Sequence, residues 1–416
     1  MAKVEWYRGQ RLKIGVANEA VQYDPQGGII DMPAIIQTDG SVWVAATIYL
    51  RRKSHEAEAT GASQKTVEKH AAALASYCSF LETEDLQWNE IPKEKSQRPT
   101  YRYRGHVMRR INASELARST GAHNMSVIRA FYLWAIHTRI LDATASEPFI
   151  NLEVTVRITN RFGLERSLRV LTSDLAIRRN TVAQKGVEEG CIPIKISDRN
   201  KLLLICEEYF RLEFCLFMKC GFFSGMRNGS IINLTHKALR NHFPSSEIPG
   251  WYAISIGPEY GIATKGGVTY HPSMPEPLLR ELLQYCMSVR RLARVKKADN
   301  DLKDLIFLNQ FGKPLTTRSF GPDMTKLRLI AKSNGLRLQR FYFHCTRATF
   351  GTAFVIASLK AGHKSNWILP RLMRLMGHST AQSSMGYIDF VEDDHIMESD
   401  INAYSDFLDL PRERTF

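Results

Sequence analysis

The sequence predicts a mainly α-helical chain in two domains, with a small β-hairpin or sheet in the second. Three observations carry this expectation. The 416 residues exceed what one hydrophobic core usually serves. Apolar residues recur at helical spacing in two long stretches of the first half. A strand–turn–strand pattern, rich in aromatic and β-branched residues, interrupts the second half.

Taken in order, residues 1–40 carry no strong pattern; they contain the turn-rich "DPQGG" and are expected to be an N-terminal extension. Residues 41–150 read as a helical domain. Val67, Ala71, Leu74, Cys78 and Leu81 recur at spacings of three and four, with Lys65, Glu68 and Lys69 off that face. "MSVIRAFYLWAIHTRI" groups Val127, Phe131 and Trp134 in the same way. Between them "RPTYRYRGHVMRR" interleaves Arg with Tyr, a composition suited to phosphate contacts or to a solvated loop. Residues 151–194 are read as a linker or insertion, and a second domain is expected over 195–416. Within it "GWYAISIG" and "GGVTYHP" flank a Gly-rich centre, the expected hairpin.

Composition narrows the class of function. With 44% hydrophobic and 24% charged residues the chain is globular rather than disordered. A net charge of +14 attracts polyanions, and nucleic acid leads among them. The first residues lack the apolar stretch of an export signal, and no run of about 18 apolar residues follows. A cytoplasmic, nucleoid-associated protein with no membrane partner is therefore expected. The seven cysteines, an odd number, read as reduced thiols. No CxxC or HExxH motif occurs, and His344 beside Cys345 is too isolated for a zinc site.

Four stretches of the second half carry groups suited to a phosphodiester. In "GFFSGMRNGSIINL", Gly225 breaks an apolar helix and Arg227 opens the next segment, offering a permanently charged fork beside free backbone N–H groups. "FHCTRATF" sets His344 and Arg347 three apart, so on a helix both point into one space. "GIATKGGVTYHP" carries Lys265 on a flexible turn, a possible proton donor. "MGHSTAQSSMGY" holds His378 and, nine residues later, Tyr387, on a segment too polar for a core. Each stretch alone is common.

Together and in this order they resemble the signature of the tyrosine recombinases, the phage-integrase group of site-specific DNA recombinases. Its parts are an Arg after a small–Gly–hydrophobic turn (Ser224, Gly225, Met226, Arg227), a hairpin Lys, H-x-x-R, hydrophobic–Gly–His, and a Tyr nine residues beyond that His. The resemblance covers residues 195–395 closely, and more loosely the helical 41–150, which looks like the family's core-binding domain. It implies a C-shaped clamp on double-stranded DNA at specific sites, and a homo-tetramer on two such sites; accessory DNA-bending proteins are compatible with it. It further implies that Tyr387 attacks the scissile phosphate to give a 3′-phosphotyrosyl link. Arg227 and Arg347 would neutralise the non-bridging oxygens, His344 would act as base, His378 would hydrogen-bond the phosphate, and Lys265 would protonate the leaving 5′-oxygen. No metal, cofactor or ATP is expected. Tyr387 is expected to be exposed, so that its oxygen can reach DNA.

Three departures mark a divergent branch. Ser230 stands three after the first Arg, where the family usually has an acid, so Arg227 must be oriented in another way. Thr346 replaces an apolar residue before Arg347, and the inter-domain stretch is long. Type IB topoisomerases share the same group logic, but the two histidine boxes and the nine-residue spacing favour the recombinase. An inactive DNA-binding accessory protein is the other alternative. After the tyrosine, Met397, Ile401, Tyr404 and Leu408 form an apolar stripe, expected on a C-terminal helix that docks on its own domain or on a neighbouring protomer.

Overall fold

The computed structural model describes residues 1–10, 29–59, 64–142, 146–159, 165–178, 187–336, 338 and 341–393. The chain divides into two units, residues 1–182 and 183–416. Among the described residues no helix is long and apolar enough to cross a membrane.

The first unit begins with an antiparallel hairpin of β1 (Lys3–Gln10) and β2 (Ile29–Ile36), where the sequence suggested only an extension. Met32, Ala34 and Ile35 of β2 are buried in a run rather than alternating, so no period of two was there to read. Four helices follow: α1 (Val44–Ala59), α2 (Gln64–Thr83), α3 (Pro99–Asn112) and α4 (Arg118–His137). All five residues of the α2 stripe are buried, as are Val127, Phe131 and Trp134 of α4.

The Arg/Tyr-rich segment is helix α3 rather than a loop. Pro99 occupies its first turn, where a missing N–H costs nothing, and Thr100, Tyr103 and Val107 supply a buried face. Buried tyrosines fill the core with their hydroxyls satisfied: Tyr77 lies 2.8 Å from the Tyr132 hydroxyl, which donates to the Trp88 carbonyl at 2.6 Å. Within 151–194, read above as linker or insertion, β3 (Asn151–Thr159) and β4 (Glu165–Ser173) pair antiparallel.

The second unit is built from α5 (Ile196–Tyr209), α6 (Leu212–Ser224), α7 (Asn228–Ile232), α8 (His236–Arg240), β5 (Phe243–Pro244), β6 (Trp251–Ala253), β7 (Ser273–Pro275), α9 (Glu276–Met287), α10 (Val289–Val295), α11 (Gly321–Ser333), α12 (His344–Lys360), α13 (Ser365–Met376) and α14 (Ala381–Asp393). The three strands form one antiparallel sheet in the order β5-β6-β7. The expected hairpin joins β6 to β7, and a further bridge between Ile256 and Tyr270 extends it towards the turn.

Helices α6 and α12 are apolar on nearly every side because both run through the core. Their approach depends on Gly221, where a β-carbon would stand 2.3 Å from Thr346 Oγ1 and 2.7 Å from Phe343 Cζ. This accounts for the departure at Thr346: the hydroxyl, turned back to donate to the Phe343 carbonyl at 2.7 Å, packs on bare backbone. All seven cysteines are buried as thiols. The proposed stripe of Met397, Ile401, Tyr404 and Leu408 lies outside the described residues.

Candidate active site

Each site residue is delivered by the end of an element. Gly225 closes α6 in the left-handed conformation, at φ 62°, and its missing side chain leaves room for Phe350. The chain then turns so that Arg227 caps the five-residue α7. That helix is one turn long, shorter than the periodic segment expected after Arg227. His344 is the first residue of α12, and Arg347 lies one turn on, fully buried. Gly377 ends α13 at φ 58°, against the ring of Tyr270, and hands the chain to His378. Tyr387 sits in the middle of α14.

Tyr387 is not exposed: its ring is fully buried. Gln382 and Ser383 lie on the outer side of α14, while Ser384, Tyr387 and Ile388 share a buried face at spacings of three and four. The ring rests on Gly351 of α12, where a β-carbon would fall 2.4 Å from Tyr387 Cε1. The chain therefore holds the phenol in a slot and presents only the oxygen.

That oxygen meets a residue the sequence reading missed. Glu188, in a three-residue turn between the two expected domains, receives the Tyr387 hydroxyl at 3.0 Å. The same carboxylate accepts from Arg347 Nε at 2.7 Å and Arg227 Nη2 at 3.0 Å. His378 Nε2 lies 3.2 Å from its Oε1, and His344 Nε2 lies 3.6 Å from its Oε2. Five groups read from three separate stretches thus converge on one carboxylate.

Main-chain carbonyls hold both guanidiniums from behind. Arg347 donates to the Gly225 carbonyl at 2.5 Å and the Met376 carbonyl at 2.7 Å, and Arg227 to the Gly377 carbonyl at 3.2 Å. These contacts answer how Arg227 is oriented with Ser230 in place of an acid. His378 Nδ1 pairs with the buried Ser384 hydroxyl at 2.7 Å, and its Nε2 also lies 2.7 Å from Arg347 Nη2. The imidazole accepts from Arg347 or donates to Glu188 according to its tautomer.

The electrostatics follow from burial and crowded charge. Burial opposes ionisation of Glu188, but the His378 hydrogen bond and the Arg347 charge outweigh it and hold the carboxyl far below its usual range. Burial, then the Glu188 charge, push the Tyr387 hydroxyl well above its usual value. Burial also lowers His378, keeping it towards the neutral form. Arg227 is lowered by burial and by Arg347 beside it, whereas for Arg347 burial is outweighed by the Glu188 charge together with the Glu188 hydrogen bond and the neighbouring Tyr387 and Tyr270.

A cleft of about 680 Å³ opens over this cluster, lined by Glu188, Arg227 and His378 and bordered by Gly266 and Val268 of the hairpin turn. Lys265 opens that turn, which Gly266 and Gly267 complete at φ 76° and 67°. Glu188 had only a faint sequence signal: an acidic pair, "EEG", shortly before a domain that lacks its usual acid at Ser230.

No protein-family model and no curated protein sequence matches the chain. Solved structures do. The Tn1549 transposon integrase in complex with circular intermediate DNA is similar at a TM-score of 0.51 and 15% identity, over 88% of this chain and 99% of that one. A second complex of the same integrase gives 0.50 and 15%, over 81% and 94%. The XerH site-specific recombinase bound to difH also matches, at 0.49 and 15%, over 83% of each chain. The chain, mainly helical with small sheets, shares its fold with these integrase structures.

Proposed function

We propose that this chain is a divergent tyrosine recombinase, which cuts and rejoins DNA at specific sites through a 3′-phosphotyrosyl intermediate. The observation that carries the reading is the convergence of Arg227, Arg347, His344, His378 and the Tyr387 hydroxyl on one singly charged group with two oxygens. A phosphodiester has the same charge and the same two acceptors.

In this reading the Tyr387 oxygen attacks phosphorus, the bond to the 5′-oxygen breaks, and the 3′-phosphate remains on the tyrosine. Arg227 and Arg347 neutralise the non-bridging oxygens as their charge grows, and the preset carbonyl contacts spare them reorganisation. With its pKa raised, Tyr387 does not ionise unaided. His344 takes the proton as attack proceeds, and His378 hydrogen-bonds the phosphate. Lys265 gives a proton to the leaving oxygen. The ester keeps the energy of the broken bond, so a 5′-hydroxyl from another strand reverses the step without ATP. The first unit serves as the core-binding domain and completes a C-shaped clamp, and a tetramer joins two sites. The +14 charge supports phosphate contacts along the duplex.

A duplex nicked beside the exchange site tests this on a denaturing gel. A recombinase is trapped covalently at one sequence, a type IB topoisomerase at many, and an accessory protein at none.

Two further outcomes follow. Lys265→Ala is expected to slow cleavage by about 10² to 10⁴, the range of a general acid, and a 5′-bridging sulfur, which leaves without a proton, should restore most of the rate. Equal slowing on both substrates would limit Lys265 to binding. Gly351→Ala drives a methyl into the Tyr387 ring, and a displacement of this kind should slow covalent attachment by about 10² while duplex binding holds. An unchanged rate would show that the slot does not position the nucleophile.

A further inference from the structure

Glu188 occupies the position that the proposed function needs for its substrate. Its carboxylate takes hydrogen bonds from Arg227 and Arg347, the guanidiniums that a scissile phosphate requires, and from Tyr387, the nucleophile. Two anions cannot share this seat: both would compete for the same N–H groups and repel one another.

Two other roles for Glu188 fit the observations less well. It stands where a base for Tyr387 would stand, at 3.0 Å from the hydroxyl. Yet the groups around it hold the carboxyl far below its usual range while the phenol is raised, so the proton would move steeply uphill. Nor is it needed to orient the arginines. Arg347 is also held by the Gly225 and Met376 carbonyls and Arg227 by the Gly377 carbonyl, contacts that do not pass through Glu188.

The way Glu188 is presented suits an occupant that leaves. It sits in a three-residue turn closed by a bond from Val187 N–H to the Cys191 carbonyl at 2.9 Å, outside every long helix and strand ladder. The turn is tethered on its downstream side. The Cys191 thiol donates to the Tyr342 hydroxyl at 3.1 Å, and Ile194 N–H to Thr349 Oγ1 of α12 at 3.1 Å. Glu188 hangs on this short turn, whereas Arg347 is fixed in the packed helix α12.

We infer that Glu188 is an internal pseudosubstrate: in the DNA-free chain it fills the phosphate seat and occupies the nucleophile, and the backbone of bound DNA must displace it before cleavage. The inference rests on the recombinase reading and assigns the regulation of that same site. Latency of this kind keeps a buried nucleophile from attacking phosphates met away from a fully engaged site.

The test uses the full chain and its Glu188→Ala and Glu188→Gln variants in two measurements. The first is thermal melting with added inorganic phosphate. Wild type should be little affected, while the Ala variant, with two guanidiniums left without a counter-charge, should be raised by phosphate. No such gain would overturn the plug, and this holds even if no protein cleaves DNA. The second is the rate of covalent trapping on the nicked duplex. If the seat is open in one molecule in ten, freeing it raises the rate at low DNA concentration about tenfold. A variant that binds duplex but is trapped more slowly than wild type would make Glu188 a working part of the site and refute the inference. Covalent complexes from none of the three proteins would refute the recombinase reading and leave the phosphate measurement to decide the plug. Should the Ala variant not fold, Glu188→Gln, which keeps the shape but loses the charge and turns one acceptor into a donor facing the guanidiniums, serves in both.

Discussion

Tyr387→Phe is expected to keep duplex binding and lose all covalent attachment. The change removes one oxygen and leaves the ring in its slot against Gly351, so the packing of α14 on α12 survives. No other group replaces the lost nucleophile, and the effect on trapping should exceed that of any other substitution in the cluster. The same change removes a hydrogen bond to Glu188. Loss of a bond between a hydroxyl and a charged group costs about 1.5–3 kcal/mol at most, too little to unfold the unit. A denaturing gel with labelled duplex reads the outcome. A covalent band that persists in the Phe variant would move the nucleophile elsewhere, with Tyr404 next in the chain.

What could be read from sequence depended on whether the physical cause was local. The α2 stripe was legible because a helix buries every third or fourth residue and nothing obscured that period. Helix α3 carries the same spacing in Thr100, Tyr103 and Val107, but four arginines and an early proline made it look like a loop. β3 and β4 were passed over for a different reason. Apolar residues do alternate along β3, at Leu152, Val154, Val156 and Ile158, but the charged residues among them resemble a linker, and Leu152, Val154 and Leu171 are exposed rather than buried.

The site divides along the same line. Arg227, His344, Arg347, His378 and Tyr387 were legible as spaced motifs, since each sits at a fixed place on its own element. Glu188 was not, because its partners lie 39, 159 and 199 residues away and its turn has no period. The burial of Tyr387 was misread from composition: Gln382 and Ser383 of α14 describe its outer face, and only the helix shows that the tyrosine, with Ser384, is on the other.

Arg347 offers the sharpest separation of chemistry from stability. Its guanidinium is fully buried and ties together the end of α6, the end of α13, His378 and Glu188. Arg347→Ala removes one fork from the phosphate seat, and covalent trapping should fall by about 10² to 10³, as for loss of one preorganised donor. It also leaves Glu188 buried with less counter-charge, a change that usually costs about 3–5 kcal/mol; Arg227 and His378, still in contact, argue for the lower end. The pH dependence has a definite sign. Because the Glu188 carboxyl is depressed in the folded chain, its contribution is fully present above the unfolded carboxyl range, near ~4.3, and is lost as pH falls towards the folded value. Wild type should therefore exceed the Ala variant by the full margin at pH 7, and by less in acid. Urea unfolding at several pH values measures this. Arg347→Lys separates the two effects: a lysine restores charge near Glu188 but not the planar fork, so stability should recover in part while trapping stays low. A Lys variant that is trapped at the wild-type rate would mean that charge alone is sufficient at this position and that the fork geometry is irrelevant to cleavage.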